Sequence, residues 1–113
     1  MLNIKKRDGS VVPFNLNKIK VAIEKAFNAV GKTYSEDILD MLALRVTATF
    51  NDKIKNDVVS VEDIQDSVEV VLIQSGYVEV AKAYILYRKQ HEKLREMNST
   101  MLDYKNTVNN YLK

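Results

Sequence analysis

The sequence has no cysteine. That excludes a disulfide framework, a thiolate zinc site and a cysteine nucleophile within these 113 residues, and it fits a reducing compartment. Long hydrophobic runs are missing as well. Nothing approaches the ~20 apolar residues that span a bilayer, and no signal-peptide pattern opens the chain. The expectation is a cytoplasmic domain with no membrane partner. The one histidine, His91, stands among Lys, Gln and Glu without a second ligand at metal-binding spacing, so no tightly bound metal is expected. There is no glycine-rich phosphate loop of the P-loop or Rossmann type. No nucleophile–base pair can be drawn either, so no catalytic residue is assigned. Charge of one sign is scarce too. A net charge of +2, from 17 basic and 15 acidic side chains, does not make a nucleic-acid-binding domain, and any role for charge must be local.

What remains is ordinary globular composition, 46% hydrophobic and 28% charged, at a length that suits one core. Leu2 to Lys6 and Ser10 to Phe14 read as strands around Asp8-Gly9, a strong hairpin signal. Pro13, the only proline, makes the second run an edge strand or ends it. Asn15 is a good N-cap. After it Ile19, Ala22, Ile23, Ala26, Phe27 and Val30 recur at helical spacing until Gly31. A second helix starts at Ser35-Glu36-Asp37 and presents Ile38, Leu42, Val46 and Phe50, with Leu39 and Ala43 beside them. Polar residues 51–57 end it. Val58-Val59 is a short β-type run that offers a third strand. Ser60-Val61-Glu62-Asp63 resembles a capping box before a third helix carrying Ile64, Val68, Val71 and Leu72, closed by Gly76. A fourth helix is predicted from Tyr77 toward Glu96, with Val80, Ala83, Tyr84 and Tyr87 on one face. The stretch "MNSTMLDYKNTVNNYLK" then turns rich in Asn, Ser and Thr with weak periodicity. The predicted fold is mainly α: a four-helix bundle covered by a two- to three-stranded sheet, with residues 1–96 as the domain and 97–113 as a linker or the start of another domain.

Charge gathers at one place. Lys5, Lys6, Arg7, Lys18 and Lys20 face a single acid, Asp8, within the first twenty residues. Lys18 lies in the first turn of the first helix, where the dipole disfavours a cation. The free N–H groups of such a helix start attract anions, and a lysine beside them becomes useful once a phosphate is bound. Lys6 and Arg7 on the hairpin are placed to close over it. A solvated cationic face explains the same charges. Asp8-Gly9 and Asn15 need no role beyond turn and cap. In the fourth helix Tyr84 and Tyr87 share a face with Arg88 nearby. They are either a core stripe or the mouth of a pocket. Glu62, Asp66 and Glu69 fall on one face and read as a solvated stripe.

The residues also carry a resemblance. "IKKRDGSVVPFNLNKIKVAIEKAF" is similar to the opening of an ATP-cone domain, through Ile4, Lys6, Arg7, Asp8, Gly9, Phe14, Asn15, Lys18 and Ile19. "VSVEDIQDSVEVVL" and "VAKAYILYR" resemble that family's third-helix start and closing helix, so the likeness runs over about residues 2–95. It implies a regulatory domain that binds ATP or dATP, with or without Mg2+, and controls a ribonucleotide reductase through oligomer contacts made by the cone. By that resemblance Lys6 and Lys18 contact phosphates and Arg7 closes over them, Asn15 lines the site, and Val61, Ile64 and Gln65 border the nucleotide. Tyr87 and Arg88 complete the candidate set. Val12 stands where an acid is common in the family. The passage "LREMNSTMLDYKNTVNNYL" resembles the transition into the catalytic domain of an anaerobic, class III reductase. The chain would then be an N-terminal fragment whose partner is the catalytic domain of the same chain. Missing cysteines argue against the zinc-ribbon repressor that carries the same domain. The alternative kept open is a nucleic-acid-binding or regulatory module using the basic hairpin, such as a cone in a transcriptional regulator.

Overall fold

A computed structural model describes residues 2–93. The predicted linker at 97–113 lies outside the described residues. The elements are β1 (Asn3–Lys5), β2 (Val11–Pro13), α1 (Leu16–Ala29), α2 (Glu36–Phe50), a 3-10 turn (Asn51–Lys53), β3 (Val58–Ser60) and α3 (Val61–Gln74). Helical structure resumes over residues 78–93, here α4.

The first three helices start on local chemistry, and α3 also stops on it. The Asn17 N–H donates to Asn15 Oδ1 at 2.9 Å, the Ile38 N–H to Ser35 Oγ at 3.3 Å, and the Asp63 N–H to Ser60 Oγ at 3.1 Å. Gly76 closes α3 in the left-handed region (φ 87°), where the Tyr77 N–H donates back to the Leu72 carbonyl at 2.9 Å. That turn lets α4 double back immediately.

The apolar faces fall where the periodicity puts them. Ile19, Ile23, Ala26 and Phe27 of α1, Leu39, Leu42, Ala43, Val46 and Phe50 of α2, and Ile64, Val68, Val71 and Leu72 of α3 share one core with Val80, Ala81 and Tyr84 of α4. Five positions differ. Ala22, Ile38, Ala83 and Tyr87 are only half-buried, and Val30 is exposed because α1 has already ended and the chain turns away there.

The sheet has three strands in the order β2-β1-β3. β1 is antiparallel to β2, with Ile4 opposite Val12, and parallel to β3, with Ile4 opposite Val59. Pro13 is therefore on an edge strand, where its missing N–H costs nothing. Val59 is buried, and Leu2, Ile4 and Phe14 pack against the core. The Phe14 ring meets Phe50 edge-on at 5.8 Å, which fastens the sheet to the end of α2. Polar residues 51–57 hold more structure than a helix end. Asn56 and Asp57 both have positive φ (54° and 61°), and Lys55 and Val58 exchange N–H···O bonds of 2.9 and 3.0 Å across them. This tight two-residue turn aims β3 at β1.

Candidate functional site

The β1–β2 turn is closed by its own hydrogen bonds. Gly9 takes φ 89°, the Gly9 N–H donates to the Lys6 carbonyl at 3.0 Å, and the Lys6 N–H donates to the Ser10 carbonyl at 2.8 Å. Asp8 Oδ1 accepts from the Ser10 hydroxyl at 2.6 Å and from its N–H at 2.9 Å. These bonds, side chain first, hold the Asp8 carboxyl below its ordinary pKa, so it stays charged and braces the turn. Asp8-Gly9 is thus an architectural pair, and Lys6 and Arg7 are what it displays.

Register places that display. Lys5 lies opposite Ser60, the N-cap of α3, so the next two residues overhang the first turns of α3. The guanidinium of Arg7 confirms the proximity: its Nε is 3.5 Å from Glu62 on α3 and its Nη1 is 3.1 Å from Glu92 on α4. Lys25 of α1 lies over the Tyr87 ring of α4 at 6.0 Å, while Ala29 and Val30 share a groove with Glu79 and Ala83. α1 and α4 therefore run antiparallel. The start of α1 and the last described turns of α4 lie at the same end of the bundle as the hairpin tip.

At that end the two lysines of α1 differ. Lys20 Nζ is 2.6 Å from Asp40 and 3.3 Å from Glu36 of α2, and these bonds raise its pKa. Lys18 and Lys6 are exposed and have no ion pair among the described residues. α2 and α3 each carry two acids in the first turn, whereas α1 carries none. The helix start that shows Lys18 is the one left electropositive.

The remaining candidates divide. Asn15 caps α1 and is exposed; Ile19 and Ile64 are core residues directly under that end; Val61 is half-buried on the first turn of α3. Gln65 is half-buried, but its Oε1 is buried without a hydrogen-bond partner. An acceptor of this kind has a place for a donor, from water or from a ligand. Tyr87 is half-buried, stacks on His91 at 4.2 Å, and lines an open groove of about 370 Å³ between α1 and α4.

Arg88 is engaged by carboxylates. Its Nη1 donates to Asp66 at 2.7 Å and Glu69 at 3.0 Å, tying α4 to α3. Burial works against its charge, yet the two carboxylates outweigh that and its pKa is raised. Tyr84 beneath it is core, and burial drives its hydroxyl far above its usual pKa. The acidic stripe is solvated at Glu62 and Asp66 and half-buried at Glu69, and it is also paired: Glu62 meets Arg7, while Asp66 and Glu69 meet Arg88. The sequence concealed this pairing, since spacing shows neighbours on one helix and not across two.

Known proteins are similar to this chain in sequence. The chain is 45% identical over 101 residues to a vitamin B12-dependent ribonucleoside-diphosphate reductase of Thermoplasma acidophilum, covering 85% of this chain and 13% of that protein. It is 37% identical over 101 residues to the ribonucleoside-diphosphate reductase subunit alpha of Chlamydia pneumoniae, covering 84% of the chain and 10% of that protein. It is 35% identical over 95 residues to the anaerobic ribonucleoside-triphosphate reductase of Escherichia coli, covering 83% of the chain and 13% of that protein. The chain thus spans about an eighth of the first of these relatives. The profile of the ATP cone domain matches residues 2–93, which are the residues that form the hairpin, the bundle and the third strand. The chain belongs to the ATP-cone family.

Proposed function

We propose that this chain is an allosteric regulatory domain of a ribonucleotide reductase, and that it binds ATP or dATP at the end of the bundle beneath the hairpin. The observation that carries the reading is the start of α1: no acid in its first turn, an exposed Lys18 without a counter-ion among the described residues, and a basic hairpin at the same end. Phosphates would be met by Lys6, Arg7 and Lys18, with the Asn15 side-chain amide and the positive end of the α1 dipole beside them. Val61, Ile64 and Ile19 would give the nucleoside an apolar floor. The orphaned Gln65 oxygen fits a donor on the ligand, either the adenine amine or a ribose hydroxyl. In this reading Arg88 supports the site through its strut to α3, and Tyr87 through the α1–α4 groove.

Regulation requires that the two nucleotides favour different assemblies, because binding alone shifts no equilibrium. The domain would therefore act through oligomer contacts of the cone and through a catalytic domain continuous with it. It carries no catalytic group of its own in this reading, with residues 1–96 as the cone and 97–113 as the passage onward. Assignment to the anaerobic class rests on the tail, since relatives of the cone occur in B12-dependent and anaerobic enzymes alike. A nucleic-acid module is less well supported, because carboxylates engage both Arg7 and Lys20.

The test is calorimetric titration with ATP, dATP and GTP, with and without Mg2+, on the whole chain and on a chain ending at residue 96. Binding of both adenine nucleotides in the micromolar range, GTP much weaker, and the same result for the shorter chain are expected. Absence of binding by every nucleotide would refute the reading, and loss of cooperative melting in the shorter chain would refute the boundary.

A further inference from the structure

We propose that Glu62 and Glu92 set the affinity of the phosphate site by competing with phosphate for the Arg7 guanidinium. The inference rests on the nucleotide reading above. Two helices each send one carboxylate to the same guanidinium at the tip of the hairpin: Glu62 from the first turn of α3, 3.5 Å from Nε, and Glu92 from α4, 3.1 Å from Nη1. A guanidinium presents its donors along edges that suit carboxylate and phosphate alike. Phosphate oxygens can meet Nη2 singly, but a two-pronged contact along either edge needs Nε or Nη1 and so takes the place of a carboxylate.

The second arginine of this end is held more closely. Arg88 is held at 2.7 Å by Asp66, which is 63% exposed, and at 3.0 Å by Glu69, which is only 23% exposed and anchors the pair. Around Arg7 the contacts are longer, and Glu62 and Glu92 are 59% and 49% exposed. Exposed pairs of that kind exchange readily, because water solvates each partner once they part. The structure thus has one arginine locked as a strut and one held by partners that a polyanion can displace.

Competition has two effects. Glu62 and Glu92 offset the positive charge around the hairpin tip, so a weakly charged anion gains little by entering. A triphosphate brings enough charge to displace both. Displacing Glu92 also cuts the only ion pair that joins the hairpin to α4 among the described residues. Occupancy at the phosphate end would thereby be transmitted to the helix that leads on to residues 94–113.

The experiment is a thermodynamic cycle on the whole chain at constant ionic strength, read as the dissociation constant for ATP. Glu62→Gln/Glu92→Gln is expected to bind about three- to tenfold more tightly than the parent, the amides keeping shape while losing charge. The same pair in an Arg7→Ala background should gain less than about twofold, because the group being competed for is gone. No gain in the parent background overturns the proposal. An equal gain in both backgrounds overturns it too, since that is the result of removing negative charge anywhere near the site. Failure of the parent chain to bind ATP would refute the nucleotide reading instead. The cycle is then read with tripolyphosphate, and an Arg7-dependent gain for that anion supports the competition while its absence overturns it.

Discussion

Replacing Lys18 by alanine is expected to weaken ATP binding by about ten- to a hundredfold without unfolding the domain. Lys18 is exposed, supports no part of the core, and has no ion pair among the described residues. A hydrogen bond to a charged group is worth about 1.5–3 kcal/mol, and each 1.4 kcal/mol is a factor of ten. The same substitution removes a cation from the positive end of a helix, a contact that costs about 0.3–1 kcal/mol. Its melting temperature should therefore stay level or rise slightly while its affinity falls. That opposed pair of signs is diagnostic, because a variant damaged in folding would lose both. Calorimetry and a thermal melt on one preparation decide it. Unchanged affinity would remove Lys18 from the phosphate site, and the electropositive start of α1 would need another explanation.

The largest effect on stability is expected from Phe50→Ala, at about 3–5 kcal/mol. That is a large part of the ~5–15 kcal/mol by which a domain usually holds together. Phe50 has no exposed surface and is the last residue of α2. Its ring is what Phe14 meets edge-on, and Phe14 joins β2 to the Asn15 cap of α1. A cavity at this point loosens both the sheet and the start of α1. Leu86→Ala serves as the comparison, because Leu86 is 57% exposed and its loss should stay within about 0.5 kcal/mol. Urea denaturation measures both. Equal midpoints for the two variants would show that the sheet does not depend on the aromatic contact.

Helices and the hairpin were legible because their signals are local. Asn15, Ser35 and Ser60 are caps that need only the next turn, and the buried faces of α1, α2 and α3 follow from spacing alone. The third strand was visible only as a possibility, since Val58-Val59 is two residues long and its pairing with β1 is a long-range event. The Asn56-Asp57 turn went unread because it lacks the glycine that usually marks such turns. Among the site residues, Lys6, Lys18 and Asn15 could be singled out from charge and capping. The partners of Arg7 and Arg88 could not, because ion pairs between helices depend on which faces meet. Gln65 drew notice only through resemblance. Its significance is the unsatisfied oxygen, a property of packing that no composition or spacing records.

The central position of β1 has a consequence for the order in which the molecule assembles. Its pairing with β2 closes a short turn, but its pairing with β3 brings position 4 against position 59 and waits for α1 and α2 to be laid down between them. A hairpin alone is marginal in water. The strand that presents Lys6 and Arg7 is thus secured late and should open early, at less cost than the bundle beneath it. Backbone amides of residues 3–13 are expected to exchange with solvent faster than those of α2 and α3, and ATP should slow them selectively; uniform exchange across sheet and bundle would contradict this. A nucleotide that bridges the hairpin and α1 would then act as the final fastening of the sheet, and the sensor would report its ligand by how firmly its own first strand is held.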